Sequence, residues 1–236
     1  VKLCELLAVP TGIIAAVGGG GKTSLLWRLA QELSENAKVL ITTTTHMWPP
    51  GCQLLYNPTK ARIREAFTQA SLVAAGNRLS DGKMCEPLGW HGNFQGLADY
   101  VLVEADGSRG LPLKAPAEHE PVIPDNTALT LAVAGMTCVG QTIETAAHRA
   151  ALYASRAGVA LATPVTPALV AERLCATDGQ RKNVPGAFVV VLNQADTPER
   201  LTFARLVAER CDANVVILAL QSKPDWAEVH PAVNGI

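Results

Sequence analysis

The chain has 236 residues, 48% hydrophobic and 17% charged, which provides ample core material and argues against a disordered chain. Its net charge of −1 and isoelectric point near 6.6 give no global field for nucleic acid or an anionic membrane. It lacks a run of about 18 apolar residues, and no charged-plus-apolar leader stands out, so a cytoplasmic location is expected.

The first element is a short apolar run, GIIAAV (12–17), which reads as a buried strand. Residues 23–33 follow with Leu25, Leu26, Leu29, Ala30 and Leu33 at helical spacing. KVLITTTT (38–45) reads as a second strand ending in hydroxyls, and 62–70 as a helix behind a Pro/Gly-rich loop. YVLVE (100–104) and LTLAVA (129–134) are the next strands, with helices expected over 142–157 and 167–174. AFVVVL (187–192), a helix over 199–210 and a last strand over 215–220 close the pattern.

Continuous apolar strands alternating with helices imply a mostly parallel sheet covered on both faces, a three-layer α/β/α sandwich. A single domain over 1–236 is expected, with loop insertions near 46–60 and 79–97. Within these, 47–56 and 79–97 are irregular, as lids and binding elements often are. The six cysteines (Cys4, Cys52, Cys85, Cys138, Cys175, Cys211) form no C-x-x-C pair and read as reduced thiols. Cys85, His91 and His119 have no ligand spacing.

AAVGGGGKTS (15–24) lies between the first strand and the first long helix. It nearly matches the phosphate-loop pattern G-x-x-x-x-G-K-[ST], with Ala16 where the first glycine is usual. Gly18, Gly19, Gly20 and Gly21 let backbone N–H groups approach phosphate oxygens, and the helix N-terminus at Lys22–Ser24 adds partial positive charge. Lys22 is expected on the β- and γ-phosphates, and Thr23 on Mg²⁺. A plain glycine turn before an ordinary helix is the alternative.

VLVEADGSRG (101–110) is an apolar strand ending in acids, the usual partner of such a loop. Glu104 is the leading metal-side acid; Asp106 is either a second metal candidate or the group that orients water. Asn193, Gln194 and Asp196 end another strand as NQAD, where the Asp196 carboxylate could accept two guanine N–H groups. That favours GTP over ATP, while an NxxD turn capping the following helix is the alternative. Thr43–His46, with Thr44 and His46 as water-orienting candidates, lie at a strand's carboxyl end, where ligands gather in doubly wound sheets. Arg109 and Lys114 are candidates for transition-state charge or an anionic ligand, against solvated surface charge.

With VGGGGKTSL (17–25), TTTTHM (42–47), YVLVEADGSRGLPLKAP (100–116), EHEPVIP (118–124) and LNQAD (192–196), the chain resembles the selenium-dependent hydroxylase accessory proteins of the YqeC type. The resemblance implies a phosphate-loop NTPase fold and a role in maturing molybdenum hydroxylases that carry labile selenium. A metalloenzyme or cofactor-maturation protein would be its partner. The motif order is also similar to that of metal-delivery GTPases, with Gln194 where those carry Lys, and that similarity adds a nucleotide-gated homodimer. Dethiobiotin-synthetase-like enzymes share the acid-Gly segment, so an ATP-dependent small-molecule phosphotransferase is the second reading. A nucleotide-binding scaffold without turnover is a third.

Overall fold

The computed structural model describes residues 2–220 and 226–232. Helix α1 (Leu3–Leu6) precedes strand β1 (Gly12–Gly18), the glycine loop and helix α2 (Lys22–Leu33). Next come β2 (Val39–Thr43), β3 (His46–Met47), β4 (Gln53–Tyr56), α3 (Lys60–Ala66), β5 (Leu72–Arg78) and β6 (Met84–Cys85). Strand β7 (Tyr100–Glu104) leads to β8 (Leu113–Lys114) and to β9 (Thr127–Gly135). Then follow α4 (Ile143–Ala146), β10 (Ala147–His148), α5 (Ala150–Ala157), α6 (Pro167–Cys175) and β11 (Ala187–Asn193). Helix α7 (Pro198–Ala208), β12 (Asn214–Ala219) and β13 (Trp226–His230) close the series.

The main sheet runs β13-β12-β11-β9-β1-β7-β2-β5-β6-β3, with β4 also paired to β5. Strands β12 through β5 and β4 are parallel, whereas β13–β12, β5–β6 and β6–β3 pair antiparallel. Successive side chains of a strand leave on opposite faces, and β1 divides its residues accordingly. Ala15 and Val17 join the core under α5, α6 and α7, with Tyr153, Val170 and Val207. Ile14 and Ala16 face α2, where Leu25, Leu26, Leu29 and Leu33 form the buried stripe. Each such leucine contributes roughly 1.5–3 kcal/mol relative to exposure. The result is the three-layer α/β/α sandwich that the alternation implies.

Register brings the carboxyl ends of the central strands together. Glu104 of β7 pairs with Ala16 of β1 and with Thr43 of β2, while Asn193 of β11 pairs with Gly135 of β9.

One strand is not anticipated by the sequence, and two local expectations change. Residues 72–78, LVAAGNR, form a buried central strand although Ala, Gly and Asn are weak strand formers; ladders to β2 and β4 on either side override propensity. The helix expected over 142–157 is broken. Ala147 and His148 pair with Leu113 and Lys114, and Arg149 takes a left-handed φ of 59° before α5 starts. The insertions are in part structural: β3, β4 and β6 widen the sheet. Within 79–97, Trp90, Phe94 and Leu97 pack with Ile63 of α3 over Leu40, Val101 and Val103, so much of this segment covers the sheet as a helix would.

Candidate functional site

The glycine loop is clamped by tertiary contacts on several sides. Gly18 and Gly20 have φ of 95° and 78°, and a Cβ on Gly20 would lie 2.1 Å from the Gly135 nitrogen. The Gly19 N–H donates to Val133 O (2.9 Å), the Gly20 N–H to Leu111 O (3.1 Å), and Asn193 Nδ2 to Gly20 O (2.9 Å). Three glycine amides are therefore committed to the protein itself, since Gly18 N–H is bound by Asp106. N–H groups that an anion could meet lie further along, at Gly21 and the first turn of α2, which has no side-chain cap.

Lys22 is buried and folded back over the loop. Its Nζ donates to Gly18 O (2.5 Å) and pairs with Asp106 Oδ1 (3.2 Å) and, at the limit, Glu104 Oε1 (4.0 Å). The Thr23 hydroxyl donates to Glu104 Oε2 at 2.6 Å. Burial pushes the Glu104 carboxyl up, and the Lys22 charge and the Thr23 hydroxyl offset part of that rise. Asp106 is fully buried and accepts Gly18 N–H with both oxygens (3.1 and 3.0 Å). A hydroxyl beside a carboxylate is the oxygen set Mg²⁺ takes together with phosphate oxygens and water. Thr23 and Glu104 form that pair, while Asp106 is already engaged by an amide and two lysines.

Lys114 is the second of those lysines. It is neither a surface charge nor open to an incoming anion: its Nζ lies 3.0 Å from Asp106 Oδ2 and 2.9 Å from Glu120 Oε2, in the interior. Arg149 Nη1 completes the chain at 2.5 Å from Glu120 Oε2. Neither Glu120 nor Arg149 is marked by local spacing; only the β8–β10 pairing brings them in. Arg109 is exposed in the turn after β7, and its charge helps burial and Arg149 lower the His148 pKa.

Thr42 and Thr43 are buried, their hydroxyls donating to Ala75 O (2.9 Å) and Glu104 O (2.7 Å), so both serve the sheet. Thr44 donates its N–H to Glu104 O (3.1 Å) and its hydroxyl to Val122 O (2.6 Å). It lines a polar cleft of about 580 Å³ between residues 91–95 and 122–126. His46 is exposed on β3 opposite Cys85, near Asp81, and no contact joins it to Lys22 among the described residues.

At the other end, Asp196 lines a cavity of about 320 Å³ with Gly21, Ser24, Arg28, Asn193 and Gln194. Helix α7 is capped by Thr197, whose side chain accepts Arg200 N–H, so NQAD is not the cap. Gln194 has a φ of 65°, and its Oε1 accepts the Thr137 hydroxyl (3.0 Å). Arg28 belongs to no motif in the sequence, although Ser24, Arg28 and Gln31 share one face of α2 at helical spacing. In strand order the cavity lies by β11, the loop after β1, the acids after β7 and the cleft by β2.

A glycine loop and an acidic strand end on a three-layer sandwich define the class of site. The YqeC protein family matches residues 14–151, which takes in the loop, both acids, Lys114 and Arg149. The chain belongs to that family. It is 36% identical over 162 residues to "Uncharacterized protein YqeC" of Escherichia coli (strain K12), a match spanning 62% of this chain and 61% of that protein. No solved structure matches.

Proposed function

We infer that the chain binds a Mg²⁺–nucleoside triphosphate at the glycine loop and hydrolyses it, GTP in preference to ATP. The carrying observation is the cluster of Lys22, Thr23, Glu104 and Asp106 beside a cavity that ends on Asp196. Lys22 would turn from Gly18 O and Asp106 to the β- and γ-phosphates, while first-turn amides of α2 donate to the remaining phosphate oxygens. Thr23 and Glu104 would hold Mg²⁺, which when bound neutralises charge between the β- and γ-phosphates. Asp106, displaced from Lys22 but still on Gly18 N–H, would keep the loop in shape. Asp196 would accept the paired N–H groups of guanine, for which adenine has no counterpart.

The role in maturing selenium-dependent molybdenum hydroxylases, with a metalloenzyme or maturation-protein partner and a nucleotide-gated homodimer, rests on the resemblance in motifs. Calorimetric titration of GTP and ATP, each with Mg²⁺, tests the base assignment. GTP should bind more tightly, and Asp196→Ala should abolish the difference; equal or ATP-preferring binding by the unaltered chain would overturn the choice of guanine.

The cleft at Thr44 favours a second reading, a small-molecule phosphotransferase, because it opens on the side of β7 where a terminal phosphate would lie. Slow hydrolysis that rises with a partner protein supports the first reading. Phosphorylation of a defined metabolite supports the second.

A further inference from the structure

The charge cluster around Asp106 holds one cation more than phosphate binding requires. Lys22 and Lys114 approach the same carboxylate from two sides, at 3.2 Å to Oδ1 and 3.0 Å to Oδ2. Both ammonium groups are sealed from water, with side-chain exposures of 2% and 0%. Their positions differ. Lys22 stands in the first turn of α2, with the loop ahead of it. Lys114 Nζ lies at ion-pair distance from both Asp106 and Glu120, and Glu120 is in turn bound by Arg149. Its strand pairs with β10, and its carbonyl accepts Gln180 Nε2 at 2.8 Å.

We propose that Lys114 is the resident counter-ion of Asp106, the positioning residue that allows Lys22 to leave for the triphosphate. This rests on the reading of Lys22 as the phosphate-binding lysine. An interior carboxylate stripped of its cation is strongly disfavoured. If Lys22 were the sole ammonium on Asp106, every phosphate contact it made would have to overcome that penalty. With Lys114 in place the carboxylate stays paired after Lys22 departs. Gly18 N–H also keeps its acceptor, so the loop has one shape in the empty and filled states. Lys114 touches no substrate group in this arrangement; it acts through Asp106.

A charge cycle tests the idea. Mg²⁺–GTP and Mg²⁺–ATP are titrated against the wild-type chain, Lys114→Met, Asp106→Asn and the double variant, with thermal unfolding of each. Lys114→Met should weaken nucleotide binding by about tenfold or more in the wild-type background, a coupling of ordinary size for a buried charge pair. In the Asp106→Asn background the same change should alter affinity by less than about twofold, because position 106 then carries no charge to balance and Glu120 keeps Arg149. Wild-type affinity in Lys114→Met overturns the proposal. So does an equal loss in both backgrounds, which would make Lys114 a packing residue. If Lys114→Met does not fold, the two Asp106→Asn proteins decide: equal affinity supports the counter-ion role and a tenfold gap overturns it. A wild-type chain that binds neither nucleotide removes the phosphate-binding reading and the proposal with it, an outcome visible before any variant is compared.

Discussion

Glu120 illustrates how the interior charges are balanced residue by residue. Burial alone pushes its carboxyl up, but the hydrogen bond from Arg149 and the Lys114 ammonium beside it outweigh burial and hold it at about 2, against an ordinary 4.5. A carboxylate depressed on folding contributes stability that is complete above its unfolded value. That contribution is lost as pH falls through the folded value. Arg149→Met should therefore lower the melting temperature most above about pH 4.5, and the gap from wild type should narrow as pH falls toward 2. A gap that is constant across that range would assign the loss to packing or to the Ala115 carbonyl contact instead. The placement of Lys22 and Thr23 at the start of α2 is legible in the sequence because the glycine loop and the helix pattern are adjacent to them. Glu120 and Arg149 are not, since they meet only after β8 and β10 pair.

At the scale of elements, the segment 79–97 carries the clearest reassignment. Irregular, glycine-containing sequence there suits a lid, but Phe94 is fully buried and its ring centroid lies 5.6 Å from that of Trp90. Phe94→Ala should cost about 3–5 kcal/mol in unfolding free energy, as deletion of a core aromatic does. Denaturant titration checks this, and a loss within about 0.5 kcal/mol would return the segment to the status of a surface loop. The break between α4 and α5 has a related origin. Helical spacing over 142–157 is real, but the ladder to β8 and the Arg149–Glu120 pair pull two residues into strand and one into a left-handed turn. Periodicity registers local preference, whereas a distant strand offers backbone partners that propensity does not anticipate.

For the whole molecule, a ligand that binds only the folded chain must stabilise all of it. At a hundred times its dissociation constant the gain is about 2.7 kcal/mol, or roughly 5–10 °C in melting temperature for a chain of this size. Mg²⁺–GTP should produce that shift in the wild type, and Lys22→Ala should remove most of it, as read by calorimetric or fluorescence melting. An unshifted wild type at saturating nucleotide would sink the triphosphate site.

Strand–helix alternation, the apolar stripe of α2, the loop GGGGKT and the acids after YVLV follow from neighbouring residues, and the sequence by itself determined them. Short-range spacing suffices because each depends on backbone geometry within a few turns. Only the tertiary structure decided the strand order, the covering role of Trp90 and Phe94, and the assignment of helix capping to Thr197 instead of Asp196. It also placed Lys114 inside the fold against Asp106 and Glu120. Burial and charge pairing depend on what lies across the sheet, and residues distant in the chain supply it.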